Sequence, residues 1–177
     1  MTSVAIRPAL ASDVPAITAI YRPAVVAGTA SFELEPPDET EMLRRFGSIT
    51  EAGFPYVVAD DGGQVLGYAY CSSYRPRPAY RYSVENSVYV APSAQGRSIG
   101  RALLSHLVES ATERGYRQMI AVIGDPRETA SVGLHRSLGF TLCGTIRSVG
   151  YKHGRWLDSV VMQRALGAGD TAPPVPL

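Results

Sequence analysis

The sequence predicts an α/β (α+β) domain, a mixed central β-sheet flanked by helices, in the order β α α β β β α β α β β. Three observations predict it. The apolar period switches between helix-like and strand-like spacing along the chain. Short turn signals join strand runs directly, once in the middle and once near the end, so antiparallel hairpins belong to the sheet. The alternation of strands and helices is too irregular for a doubly wound dinucleotide fold. With 177 residues, 45% hydrophobic and 19% charged, the chain has the composition of one globular domain. Residues 1–166 are expected to form it, and the Pro-rich stretch 167–177 a mobile tail.

Each element has a local reason. "SVAIRPA" reads as a short first strand. In "ASDVPAITAIYRPAVVAG", Ser12 or Asp13 can cap a helix and Pro15 fits its first turn. Val14, Ile17, Tyr21 and Val25 recur at helical spacing, and Pro23 predicts a bend or break. "TASFELEPP" is a loop. A second helix is expected over residues 38–52, with Met42, Leu43, Phe46 and Ile49 on one side and Gly53 as its stop. "PYVVAD" and "QVLGYAYCS" are strands joined by "DGG". "SYRPRPAYRY" is a basic, aromatic loop, and "SVENSVYV" the fourth strand. "GRALLSHLVESATERG" is amphipathic, with Leu103, Leu104, Leu107, Val108 and Ala111 as its apolar stripe. "QMIAVIG" is a buried strand, "ETASVGLHRSLG" a short helix ended by Gly139. The last long stretch reads as two strands around a "KHGR" turn.

The bulk numbers exclude several functions. A formal net charge of +1 argues against bulk electrostatic binding to nucleic acid or a membrane surface. No apolar run is long enough to span a bilayer, and the N-terminus lacks a secretory pattern. Cys71 and Cys143 are far apart and form no CxxC pair, which fits free thiols in a reducing cytoplasm. His106, His135 and His153 show no metal-ligand spacing, so no metal is expected. No Ser-His-Asp or cysteine-nucleophile motif is present.

The stretch "AQGRSIGRALL" carries more information. It follows a strand and opens a helix, where unpaired backbone N–H groups suit a phosphate. Gly96 and Gly100 allow close backbone approach, and Arg97 and Arg101 add charge. Neither GxxxxGK[ST] nor GxGxxG is present, so a triphosphatase loop and a dinucleotide fingerprint are excluded. Taken alone, the loop fits a phosphate cradle and a plain strand-to-helix turn equally. Ser98 is expected at negative φ, free to offer its hydroxyl as a further donor.

Residues 84–140 resemble the GNAT superfamily of N-acetyltransferases, whose loop pattern is (Q/R)-x-x-G-x-(G/A). Gln95 and Gly100 match it; Ser98 stands where the family favours glycine. "IYRPAV", "SVENSVYV", "AVIGD", "ASVGLHRSLGF" and "YKHGRWLDSVVMQ" extend the resemblance to the phosphinothricin and methionine sulfoximine acetyltransferases over residues 6–166. The resemblance implies acetyl-CoA as co-substrate. Its pyrophosphate would lie on Gln95, Gly96, Arg97, Ser98, Ile99, Gly100 and Arg101, and its pantetheine arm along the main chain of Val88, Tyr89 and Val90. Ser131 would be a further cofactor contact, as would Glu128, which stands where the family has asparagine. Arg75, Pro76 and Arg77 would line the substrate pocket with Phe32, Glu85, Asn86 and Ser87. His135 stands where many relatives carry a thiolate-reprotonating tyrosine. A homodimer and a cytoplasmic enzyme are implied as well.

The chemistry of acetyl transfer adds its own reason for Glu85. A free α-amino group has a pKa of about 8 and is mostly protonated at neutral pH. A carboxylate close to it, directly or through one water, can take the proton. Arginine forks in "YRPRPAYR" suit the carboxylate and polar oxygens of an amino acid or a sulfoximine or phosphinate analogue. The expected activity is acetyl transfer to such an α-amino group by direct attack in a ternary complex. Two alternatives remain from the sequence: transfer to another amine, such as a peptide N-terminus or an aminoglycoside, and a non-catalytic acetyl-CoA-binding module.

Overall fold

A computed structural model describes residues 4–125 and 129–177. The strands are β1 (Ala5–Pro8), β2 (Tyr56–Asp61), β3 (Gln64–Ser73), β4 (Ser83–Val90), β5 (Gln118–Ile123), β6 (Thr141–Lys152) and β7 (Arg155–Ala165). The helices are α1 (Val14–Val26), α2 (Glu39–Glu51), α3 (Ile99–Glu113) and α4 (Thr129–Ser137). Apart from short 3-10 turns, this is the predicted order. The strands form one sheet in the order β1-β2-β3-β4-β5-β7-β6. Every neighbouring pair is antiparallel except β4 and β5.

Two cores hold the layers together. On one face α3 buries Leu103, Leu104, Leu107 and Ala111 against strand residues including Ala69, Val84 and Met119. Each buried leucine is worth about 2 kcal/mol of removed apolar surface. On the other face α1 and α2 cover Tyr56, Val58 and Tyr68 with Ile17, Tyr21, Val25 and Met42. Tyr56, Tyr68, Tyr70 and Tyr89 form a nearly parallel stack across the strands beneath them.

Turn chemistry follows the residues. Gly62 and Gly63 both have positive φ (61° and 97°), the demand of the two-residue hairpin between β2 and β3. Asp38 caps α2 by accepting the Glu41 N–H at 2.8 Å. Three expectations need correction. The first helix runs unbroken through Pro23, because its buried face is anchored on both sides of that proline, at Tyr21 and Val25. Asp13 makes no side-chain cap on α1; its carboxylate instead accepts from the Leu10 N–H and from Arg7. Leu43 is exposed rather than in the core. At the base of the C-terminal segment Arg117 donates to the carbonyls of Gly169 (2.8 Å) and Ala172 (2.6 Å), while residues 173–177 are exposed. Among the described residues, no helix is long and apolar enough to cross a membrane.

Candidate active site

The site follows from where the one parallel pair comes apart. β4 pairs with β5 only from Ser83 to Glu85, opposite Gln118 to Ile120. Beyond that point β4 stays on β3 up to Val90, while β5 stays on β7 up to Ile123. The two strands therefore diverge, and a cleft of about 750 Å³ opens between them. Backbone N–H and C=O groups along the parted edges need other partners, so an extended ligand arm can take the place of a missing strand.

The cleft brings together most of the residues singled out from the sequence. Phe32, Glu85, Asn86, Ser87, Val88, Tyr89 and Val90 line it, with Gln95, Gly96, Ser98, Ile99, Gly100, Arg101, Ser131 and His135. Arg97 is not part of the wall; it reaches out to Asp61 at 3.5 Å. Arg75, Pro76 and Arg77 are exposed in the loop before β4 and lie outside the lining. Arg75 stacks over the Tyr74 ring at 5.2 Å. Glu128 lies outside the described residues. Sequence reasoning missed the wall made by Ala30 and Ser31 and by Ala121 to Gly124. Small residues at a strand end and in a loop carry no local signal of chemistry; Gly124 after "AVI" was the only available hint.

α3 aims its N-terminus at the cleft. Its first backbone bond is donated by Ala102 to Ser98, so the amides ahead of Ala102 have no partner within the helix. They carry the partial positive charge of a helix start. Gly96 has φ +75°, which a Cβ would oppose. Arg101 is held by the Ser137 hydroxyl at 2.8 Å, keeping one cation beside the loop. The donor set fits a pyrophosphate.

Ser98 corrects an expectation. It sits at φ 61°, ψ 10°, in the left-handed region, and its side chain makes no cap. The chain passes from extended Gln95 (ψ 156°) to the helix at Ile99 within a few residues, and Ser98 takes the reversal. A left-handed non-glycine costs about 1–2 kcal/mol. Ser98→Gly is therefore expected to raise Tm by roughly 2–8 °C, with the acetyl-CoA KM changing less than about tenfold. Differential scanning calorimetry and a steady-state titration check both.

Glu85 and Asn86 sit at the fork and face opposite ways. Glu85 shares the α1/α2 side with Ser87 and Tyr89, and burial raises its pKa while the Arg75 charge opposes the rise. Asn86 is buried on the α3/α4 side. It donates from Nδ2 to the Ile120 carbonyl (3.0 Å) and offers Oδ1 to His135 Nε2 (3.0 Å). His135 Nδ1 contacts the Ser131 carbonyl at 2.8 Å. The Ser131 carbonyl and Asn86 Oδ1 both only accept, so a neutral ring donates to one of them and the imidazolium to both. Burial lowers the His135 pKa, against the raising effect of the Ser131 carbonyl. Both ring nitrogens are engaged, and the chain α4–His135–Asn86–Ile120 bridges the strands where they part. Asn86→Leu leaves the Ile120 carbonyl and His135 Nε2 without their partner. An expected loss of about 2–3 kcal/mol follows, read by urea denaturation.

Among the described residues no three His, Cys, Asp or Glu side chains gather in a group that could hold a metal. Cys71 is buried and Cys143 exposed, both free.

Comparison with known proteins agrees with this arrangement. The acetyltransferase (GNAT) family profile matches residues 16–140. The phosphinothricin N-acetyltransferase of Alcaligenes faecalis is 54% identical over 162 residues, covering 92% of this chain and 82% of that one. The L-methionine sulfoximine/L-methionine sulfone acetyltransferase of Pseudomonas aeruginosa strain PAO1 is 41% identical over 172 residues, covering 97% and 99%. A crystal structure of a phosphinothricin acetyltransferase from Sinorhizobium meliloti, in complex with acetyl-CoA, superposes with a TM-score of 0.94 at 52% identity, covering 99% and 94%. The chain thus belongs to the GNAT acetyltransferase family, an N-acetyltransferase that uses acetyl-CoA as its co-substrate.

Proposed function

We propose that the enzyme acetylates the α-amino group of a small amino acid or an analogue of the methionine sulfoximine, methionine sulfone or phosphinothricin type. The observation that carries this reading is Glu85 at the fork of the cleft, a half-buried carboxylate on the α1/α2 side with the arginine loop beside it. Acetyl-CoA supplies the activated acyl group. Both substrates are held at once. Glu85 takes the ammonium proton, directly or through one water, so that the free amine attacks the thioester carbon; the C–N bond forms, the C–S bond breaks, and CoA leaves as a thiolate that takes up the proton the new amide nitrogen gives up. Backbone amides of residues 88–90 orient the acyl carbonyl, and any N–H aimed at its oxygen stabilises developing negative charge. The loop that carries Arg75, whose charge acts on Glu85, and Arg77 attracts the acceptor's carboxylate and polar oxygens. The same cations disfavour a polycationic aminoglycoside. His135, with both nitrogens engaged, serves better to hold the cleft open than to return a proton to the thiolate.

A panel of amino acids and analogues, peptide N-termini and an aminoglycoside, assayed for CoA release, tests the assignment. Amino-acid analogues should give the highest kcat/KM, and a clear preference for peptides or aminoglycosides would sink it. We also propose a homodimer. Leu142, Val149, Tyr151 and Trp156 leave exposed apolar surface on β6 and β7, more than scattered surface hydrophobics require. Light scattering should return twice the chain mass; a monomer at micromolar concentration would refute this.

A further inference from the structure

The loop after α1 forms one wall of the cleft through Ala30, Ser31 and Phe32. It has no regular secondary structure, so side chains from elsewhere must fix it. The strongest tie comes from the far edge of the sheet. Lys152, the last residue of β6, is buried, and its Nζ donates to the Ser31 carbonyl at 2.7 Å. Next to it, His153 Nε2 lies 3.2 Å from the Gly28 carbonyl. The Phe32 ring occupies a slot that two glycines keep open: a Cβ on Gly150 would lie 2.5 Å from the ring, and one on Gly124 2.8 Å from it. From Ser31 the connection continues into the site. The Tyr21 hydroxyl donates to Glu33 (2.8 Å) and lies 2.8 Å from Ser31 Oγ. Having one proton, it must accept from that serine. The Tyr21 ring in turn packs edge-on against Tyr89 of β4, 5.0 Å between centroids.

We propose that Lys152 is a positioning residue for the acceptor side of the active site. By holding the Ser31 carbonyl, it keeps Phe32 seated between Gly124 and Gly150 and sets the width of the pocket that the amine substrate enters. Burying a lysine to close a surface loop is costly; among the described residues its Nζ donates to the Ser31 carbonyl and its charge acts on Glu33, two residues further along the same loop. Methionine has nearly the same stem and no N–H, so Lys152→Met removes the tie while keeping the packing.

The proposal rests on the reading of this cleft as the acetyl-transfer site, and the test separates the two. Hydrogen–deuterium exchange needs no substrate. Amides of residues 28–33 should exchange at least about tenfold faster in Lys152→Met than in the wild type, and unchanged exchange overturns the tie. Steady-state kinetics use the best acceptor from the CoA-release panel, whatever its class. The acceptor KM should rise about tenfold or more, with the acetyl-CoA KM within about twofold. Gly150→Ala leaves Lys152 intact and unseats Phe32 directly, and it should reproduce the same split. If Lys152→Met does not fold, an unchanged acceptor KM in Gly150→Ala overturns the proposal by itself. A lower Tm with both KM values unchanged in either variant reduces Lys152 to a structural role and overturns the proposal, as does a parallel rise of both. A panel that finds only peptide acceptors defeats the amino-acid reading and leaves the KM comparison valid.

Discussion

Glu85→Gln is expected to lower kcat at pH 7 by about 10²–10⁴-fold, the usual worth of a positioned acid–base group. The physical argument concerns the amine. With a pKa near 8, roughly a tenth of a free α-amino group is unprotonated at pH 7. Without a nearby carboxylate the enzyme must use that fraction, with no group to take the proton. Raising the pH to 9 increases the free amine about tenfold, so partial rescue is expected, bounded by that factor. In the wild type, Glu85 must be ionised to act. Burial raises its pKa, against the lowering effect of the Arg75 charge, so the acid limb of kcat/KM should be shifted upward from that of a free glutamate and vanish in the variant. The stability sign is opposite to the catalytic one. A carboxyl whose folded pKa is raised binds more protons in the folded state. Its contribution to stability therefore falls as pH rises from the unfolded to the folded pKa, and is lost above it. At pH 7 the variant should be at least as stable as the wild type. A pH–rate profile beside a thermal melt checks both halves; unchanged activity would remove Glu85 from the chemistry.

Gly124→Ala is the second large effect. Gly124 ends β5 at the mouth of the cleft. A Cβ there would overlap the backbone carbonyl oxygen of Thr29 and approach Phe32 Cε1 to 2.8 Å. A flexible side chain can rotate away; a backbone carbonyl in a packed loop cannot. Overpacking of this kind costs about 1–3 kcal/mol, a fall in Tm of roughly 3–10 °C for a chain of this size. Because the displaced atoms form the cleft wall, kcat/KM for the acceptor should drop at least tenfold as well. Calorimetry and kinetics on one preparation test the pairing of the two losses. An alanine variant of wild-type stability and activity would show that residues 29–32 can move freely.

Much of the architecture was readable along the chain. Elements whose signal is local came out in order: the glycine-turn hairpin of β2 and β3, the apolar stripe of α3, and the Gly53 and Gly139 stops, both at positive φ. The α3 loop was readable too, because a helix start after a strand has chemistry of its own; the cleft residues of β4 other than Glu85 came from the family resemblance. What failed was set by distant contacts. Pro23 alone predicts a break, but the buried residues on both sides of it hold the helix. Ser98 alone prefers negative φ, yet the path into α3 imposes the left-handed turn. Arg97 looked equivalent to Arg101 in sequence; only the fold sends one to Asp61 and the other to Ser137.

The sequence by itself determined which segments are strands and helices, the helix start that can receive a phosphate, and the carboxylate suited to an amine. Those properties depend on neighbours within a few residues. The tertiary structure alone decided that β4 and β5 part after Glu85, and that Asn86 and His135 brace the gap across 49 residues of chain. It also decided that Lys152 reaches a loop 121 residues away. Such contacts depend on how whole elements pack, and the same lysine in another packing would be one more solvated charge at a hairpin.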